Sequence, residues 1–176
     1  MPDAPGLELI RADLNDAHPD AIIGTYHEHG QACLICDPAA IREVLAWLRD
    51  TPGQEYNFLA SVHGVDYLPA EPRFAVHYEL LNMARVERVR VRAAIEDPGP
   101  DALPIIPTVS DEWPPADHQE REVYDFFGIV FDGHPDLRRI LMPEDYVGWP
   151  QRRDFPIGGE PVIFTNTERD VPGWYA

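Results

Sequence analysis

Lysine is absent from this sequence: all 14 basic residues are arginine, set against 31 acidic residues for a formal net charge of −17. The imbalance makes the chain a poor candidate for sequence-independent binding to nucleic acid, which needs clustered basic residues to neutralise phosphates. It is equally unsuited to anionic lipid, which attracts polybasic segments. Cysteine is scarce, at two residues, and two thiols fix no redox compartment. No apolar run approaches the roughly 18 residues of a membrane span. The opening MPDAPGLELIRADLND has neither the basic nor the apolar region of a signal peptide. These absences predict a cytosolic chain, or one peripheral on the cytosolic side of a membrane. Internal repeats are missing too, as are a Gly-rich phosphate loop and G-x-S-x-G; Gly158-Gly159 reads as an isolated turn.

What is present is a chain of 176 residues, 44% hydrophobic, long enough to bury one core without staples. Leu7, Ile10 and Leu14 recur at helical spacing over residues 7–17. Residues 21–26 and 31–36 read as two short strands joined by the loop HEHG. Asp37 and Pro38 then start a helix whose apolar face is Ile41, Val44, Leu45 and Leu48, and Thr51-Pro52-Gly53 stops it. Three strand-like runs follow, at 56–67, 72–81 and 85–95; alternation in the last two predicts an antiparallel sheet with one covered face. The order helix, two strands, helix, three strands implies an α+β fold of two layers, with a mixed, mostly antiparallel sheet. Residues 1–97 form this part and 98–176 a continuation in the same structural unit.

From Pro98 the texture changes. Proline-rich residues 98–116 predict loop or short turns. Residues 116–127 make one helix, with Gly128 as a left-handed cap, and Arg121 and Asp125 stand at i, i+4 for a surface or interface pair. Beyond it, large apolar residues recur without a period, so the segment is expected to lie extended on a surface, this domain's or a partner's.

Cys33-Leu34-Ile35-Cys36 spells C-x-x-C, but positions three apart on a strand face opposite sides, so the pair reads as two buried thiols. His118-Gln119-Glu120 matches the H-x-E of zinc deaminases, yet no cysteine follows residue 36 to complete the site. Glu120, Glu122 and Asp125 with His134 are a candidate acid–base cluster, against the plainer reading of a charged helix paired with arginines. His27 and His29 fall in the expected hairpin loop, solvated. Arg85, Arg88, Arg90 and Arg92 lie in one strand, with the last three on one face, read first as a solvated sheet face. Arg138, Arg139, Arg152 and Arg153, interleaved with Tyr146, Trp149 and Phe155, read as anchors of a protein–protein interface.

The run from Glu120 to Leu141, EREVYDFFGIVFDGHPDLRRIL, closely resembles the signature of the 30-kDa subunit of respiratory complex I, the C-type subunit of NADH-quinone oxidoreductase. It carries Glu120, Arg121, Glu122, Asp125, Gly128, Phe131, Gly133, His134, Pro135, Asp136, Leu137, Arg138 and Arg139. Pro143-Glu144-Asp145 and the run from Gly148 to Pro156, with Arg152, Arg153 and Asp154, resemble the next block, G-x-P-L-R-K-D-Y-P. Here Gln151, Arg153 and Phe155 replace its leucine, lysine and tyrosine. The resemblance covers about residues 40–160. It implies a non-catalytic core subunit that itself holds no FMN, iron–sulfur cluster, NADH or quinone and no metal, within a complex that uses them. Its implied partners are the 49-kDa, D-type subunit that carries the quinone site and the other peripheral-arm subunits, on the cytoplasmic side of a bacterial cell membrane. Residues 132–135 should turn the chain onto the 49-kDa partner, and Arg138, Arg139, Arg152 and Arg153 should find acceptors there or on the signature helix. Related complexes use similar subunits: membrane-bound hydrogenases, F420H2 dehydrogenases and photosynthetic complex I. The competing reading from another class is a stand-alone acid–base hydrolase using Glu120, Glu122 and His134.

Overall fold

The computed structural model describes residues 2–156; Gly158-Gly159 and the rest of the C-terminal run lie outside them. Helix α1 spans Ala4–Ala17 and starts earlier than the apolar spacing alone predicts. The reason is Asp3, whose carboxylate accepts from the Gly6 amide at 2.8 Å and caps the helix. Leu7, Ile10 and Leu14 are its buried face, as their spacing predicts.

Strands β1 (Ile22–Glu28) and β2 (Gln31–Cys36) pair antiparallel across a turn at His29-Gly30. The loop is therefore shorter than expected: His27 belongs to β1, opposite Ala32, although both His27 and His29 are exposed. Asp37 caps a 3-10 turn, Pro38–Ala40, that runs into α2, Ile41–Asp50. Ile41, Val44, Leu45 and Leu48 are all fully buried.

Strands β3 (Phe58–Asp66), β4 (Phe74–Asn82) and β5 (Glu87–Ile95) follow. The sheet order is β1-β2-β5-β4-β3, with one parallel contact, β2 to β5; all other contacts are antiparallel. The connection from β2 to β5 runs through α2, β3 and β4, and that length makes the parallel contact possible, because parallel neighbours need a connection too long for a hairpin. Phe74, Val76, Tyr78 and Leu80 of β4 are fully buried in one apolar core with residues of all three helices.

After Pro98 the proline-rich stretch is not all loop. Ile105–Pro107 is a short strand, β6, paired in parallel with β7, Val130–Asp132. Between them lies α3, Ala116–Phe127, ended by Gly128 at φ 69°. Proline at position 107 terminates β6 without preventing it, since an edge position needs no ladder donor there. Helix α3 packs against β3, where Gly64 leaves room for Phe127: a Cβ at residue 64 would meet that ring at 2.7 Å.

Candidate functional site

The signature residues converge around α3 and the chain that returns over it, residues 130–156. Asp125 is the hub. Its side chain is fully buried, yet one oxygen accepts from Arg139 Nη1 at 2.7 Å. The other accepts from the backbone amides of Ile140, Leu141 and Met142 at 3.1, 2.7 and 2.8 Å. Burial opposes the charge, but these donors outweigh it and hold the carboxyl below its ordinary range. Arg139 also donates to the carbonyls of Asp125 and Gly148, at 2.9 and 2.8 Å. Its guanidinium lies 4.7 Å from the Trp149 ring centre and 5.7 Å from that of Tyr146.

The expected Arg121–Asp125 pair does not form. Arg121 reaches the carbonyls of Arg138 and Arg139, each at 3.3 Å, because Asp125 on the same helix points inward to the return loop. Gly128 is required twice over: its φ is positive, and the Trp149 ring lies 2.5 Å from where a Cβ would stand. Phe131 is buried and Leu137 packs on the core. The His134 amide donates to the Phe131 carbonyl at 3.2 Å across Gly133 at φ 83°, which makes the expected turn. Pro135, Pro143, Glu144 and Asp145 are exposed, and the Tyr146 amide closes a second turn on the Pro143 carbonyl.

The candidate acid–base residues do not form an accessible cluster. Glu122 is exposed, whereas Glu120 is sealed, bonded to the Thr108 hydroxyl and to the Val109 amide at 2.9 Å. Burial pushes the Glu120 carboxyl up to about 7. The His134 imidazole is also sealed: Nδ1 accepts from the Asp136 amide at 3.1 Å, so Nε2 carries the proton and donates to the Asp117 carbonyl at 3.1 Å. His134 Nε2 stands 3.9 Å from Glu120, with both side chains out of solvent. Both cysteines are buried and free, Cys36 in the core and Cys33 beside Arg90, so the two sulfurs diverge as their spacing predicts.

A second polar cluster joins residues far apart in the chain. Arg73, almost fully buried, donates to Asp66 at 3.0 and 3.1 Å, to Asp97 at 2.8 Å and to Asp154 at 2.8 Å. Asp66 accepts in turn from the Arg153 amide at 2.9 Å. Arg152 donates to the Phe127 carbonyl at 2.7 Å and stacks on Phe74, 5.0 Å from its centre. The one signal in the chain is an arginine set between Pro72 and an apolar strand; nothing local points to its partners. Of the arginines at 138, 139, 152 and 153, Arg139 and Arg152 thus hold the signature helix, Arg138 pairs with Asp136 at 2.9 Å in solvent, and Arg153 is exposed.

This arrangement seals Asp125, Glu120, His134 and Arg73 and leaves Leu141 and Val147 at the surface, 61% and 65% exposed. It is the geometry of a held platform. Comparison with known proteins agrees with the signature. The family model for the respiratory-chain NADH dehydrogenase 30 Kd subunit matches residues 34–161. The chain belongs to this family. It is 42% identical over 165 residues to the C-type subunit of NADH-quinone oxidoreductase from Roseiflexus sp. (strain RS-1), covering 94% of this chain and 90% of that one. The corresponding subunit of Herpetosiphon aurantiacus is 45% identical over 141 residues, 80% of each chain. Among solved structures, a chain of the membrane-bound sulfane sulfur reductase, an archaeal respiratory membrane complex, matches with a TM-score of 0.66 and 25% identity over 85% of both chains. This member of the 30-kDa family is therefore a subunit of a multi-subunit respiratory oxidoreductase complex. No helix among its described residues is long and apolar enough to cross a membrane.

Proposed function

We propose that the chain is a non-catalytic scaffold of the peripheral arm of a proton-translocating NADH:quinone oxidoreductase. It packs on the 49-kDa quinone-site subunit through residues 137–156, on the cytoplasmic side of the cell membrane. FMN, iron–sulfur clusters, NADH and quinone are handled by other chains. The observation that carries the reading is the Asp125 hub: three consecutive amides and Arg139 are fixed to one carboxylate, which holds Leu141 and Val147 outward on a stiff loop. Exposed large apolar side chains on a rigid support suit the centre of a protein interface. The sealing of Glu120 and His134 argues against the hydrolase reading, since a general base must reach the proton it abstracts.

The test is assembly of the native complex from Leu141→Asp and Arg139→Ala chains. Leu141→Asp leaves the fold intact and should reduce recovery of the peripheral arm by about tenfold, the effect of losing ~1.4 kcal/mol at an interface. Arg139→Ala should do so more strongly, because the loop itself is released. Normal assembly and full quinone reductase activity in both variants would refute the scaffold role. The likeness to the archaeal complex favours a second reading within the same class, membership of a complex with another electron donor or acceptor; the proteins that co-purify decide between them.

A further inference from the structure

The five-stranded sheet buries its helices on one face only: residues of α1, α2 and α3 share a core with Val76, Tyr78 and Val91. The register puts Arg88, Arg90 and Arg92 on the opposite face, level with Leu81, Glu79 and His77 of β4. Arg90 pairs with Glu79. Arg88 is exposed and Arg92 lies 4.4 Å from the Tyr67 ring centre, and neither makes an ion pair among the described residues. Arg92 Nε and His77 Nδ1 are buried on this face without a hydrogen-bond partner. Beside them runs a trough of about 300 Å³ lined by Gln31, Ser61, His63, Glu79, Arg88 and Arg90.

Two uncompensated guanidiniums on one face are out of keeping with a chain whose acidic residues exceed its basic ones by 17. A partner chosen by charge for this face carries anions; in another protein of the complex these are carboxylates, which planar guanidiniums bind bidentately. Arg88 and Arg92 are four residues apart on one strand, which spaces their Cα atoms by about 13 Å. An extended chain with carboxylates four residues apart has the same spacing.

We propose that this open sheet face is a second docking surface, which takes an extended acidic segment of another protein of the complex laid along β5. The proposal rests on membership in a multi-subunit complex and is independent of the contact proposed for residues 137–156. The test places a photo-crosslinking residue at Ser61, on the rim of the trough, in the assembled native complex and maps the product by mass spectrometry. The expected product joins Ser61 to a segment of another protein of the complex with at least two acidic residues. Its yield should fall about fivefold with Arg88→Glu, as expected for one exposed charge pair reversed, and recover with Arg88→Lys. Arg92→Gln should act in the same direction; Arg88→Glu keeps the test open if that chain fails to fold. Crosslinks to a segment without acidic residues, to this chain alone, to lipid or to nucleic acid would overturn the proposal, as would no crosslink at all or a yield indifferent to Arg88→Glu.

Discussion

In the sheet half of the molecule, Ile41, Val44, Leu45 and Leu48 are fully buried against an apolar strand layer. In the half after Ala116 the return loop is held by charged groups: Asp125 with its four donors, and Asp154, which meets the buried Arg73 of the sheet half. Apolar burial is non-directional and tolerates substitution of similar volume. A buried carboxylate is different, since removing it strands every group that pointed at it. The first kind of packing builds a fold, and the second fixes a surface loop in one geometry. That difference fits a domain that carries a platform for another protein.

The two halves should come apart most clearly at Asp125. Asp125→Ala leaves Arg139 and three amides without their acceptor, and the expected loss is about 3–5 kcal/mol. The loss should be local: residues 137–156 become open to protease while the sheet still unfolds cooperatively in denaturant. Leu45→Ala supplies the contrast, at about 2–5 kcal/mol, with one transition for the whole chain and no selective cleavage. If Asp125→Ala lowered the entire transition as Leu45→Ala does, the two halves would not be held by separable means.

This division also explains what could be read from residue order. The spacing of Ile41, Val44, Leu45 and Leu48, the alternation in β4 and β5, and Gly128 after a short helix are local patterns, and each produces the element expected. Asp125 shows the limit. Its i, i+4 neighbour Arg121 is the natural partner by spacing, but Arg139, fourteen residues on, has it. Likewise Asp66 meets Arg153, 87 residues away, and β6 pairs with β7 across a whole helix. Such contacts follow from tertiary placement and leave no period in the chain. The signature's individual residues are legible only as a resemblance; which of them face inward comes from the structure.

The seam between the halves is the next place to press. Gly64 of β3 lies under Phe127 and Val123 of α3, with 2.7 and 3.0 Å left for a Cβ. Gly64→Ala should cost about 1–3 kcal/mol through overpacking, and tryptophan fluorescence should report a shift at Trp149 before the sheet unfolds. An unchanged stability would mean that α3 yields easily and the platform is less fixed than the Asp125 hub implies.

Acid separates the perturbed carboxylates by sign. Burial pushes Glu120 up to about 7 from an ordinary value of 4.5, so between those values the folded chain binds more proton than the unfolded chain. Stability from this group therefore increases as pH falls from about 7 to 4.5 and is lost as pH rises through that window. Asp66, Asp97 and Asp125 are held below their ordinary value of 3.8; their contribution is present above it and disappears in stronger acid. Glu120→Gln keeps an acceptor for the Val109 amide and should raise stability at pH 8 by about 1–2 kcal/mol. Denaturant midpoints from about pH 4.5 to 8 should then lose the slope due to Glu120. A slope retained in Glu120→Gln would place the titrating group elsewhere.

Arg138 gives the smallest effect on the isolated chain and for that reason the sharpest one on the complex. Its ion pair with Asp136 is solvent-exposed at both ends, 61% and 54%, and pairs of this kind contribute under about 1 kcal/mol. Arg138→Ala should leave the denaturation midpoint of the purified chain almost unchanged. Its neighbour Arg139 is spent inside the fold, but Arg138 is turned outward on the same stiff loop that presents Leu141. If that loop meets a partner, a guanidinium there is desolvated on docking and its loss costs far more in assembly than in folding. Recovery of intact complex should then fall while the free chain remains as stable as before. Equal, negligible effects on both would confine the interface to the apolar residues, and a folding defect as large as the assembly defect would return Arg138 to the structural network of Asp125.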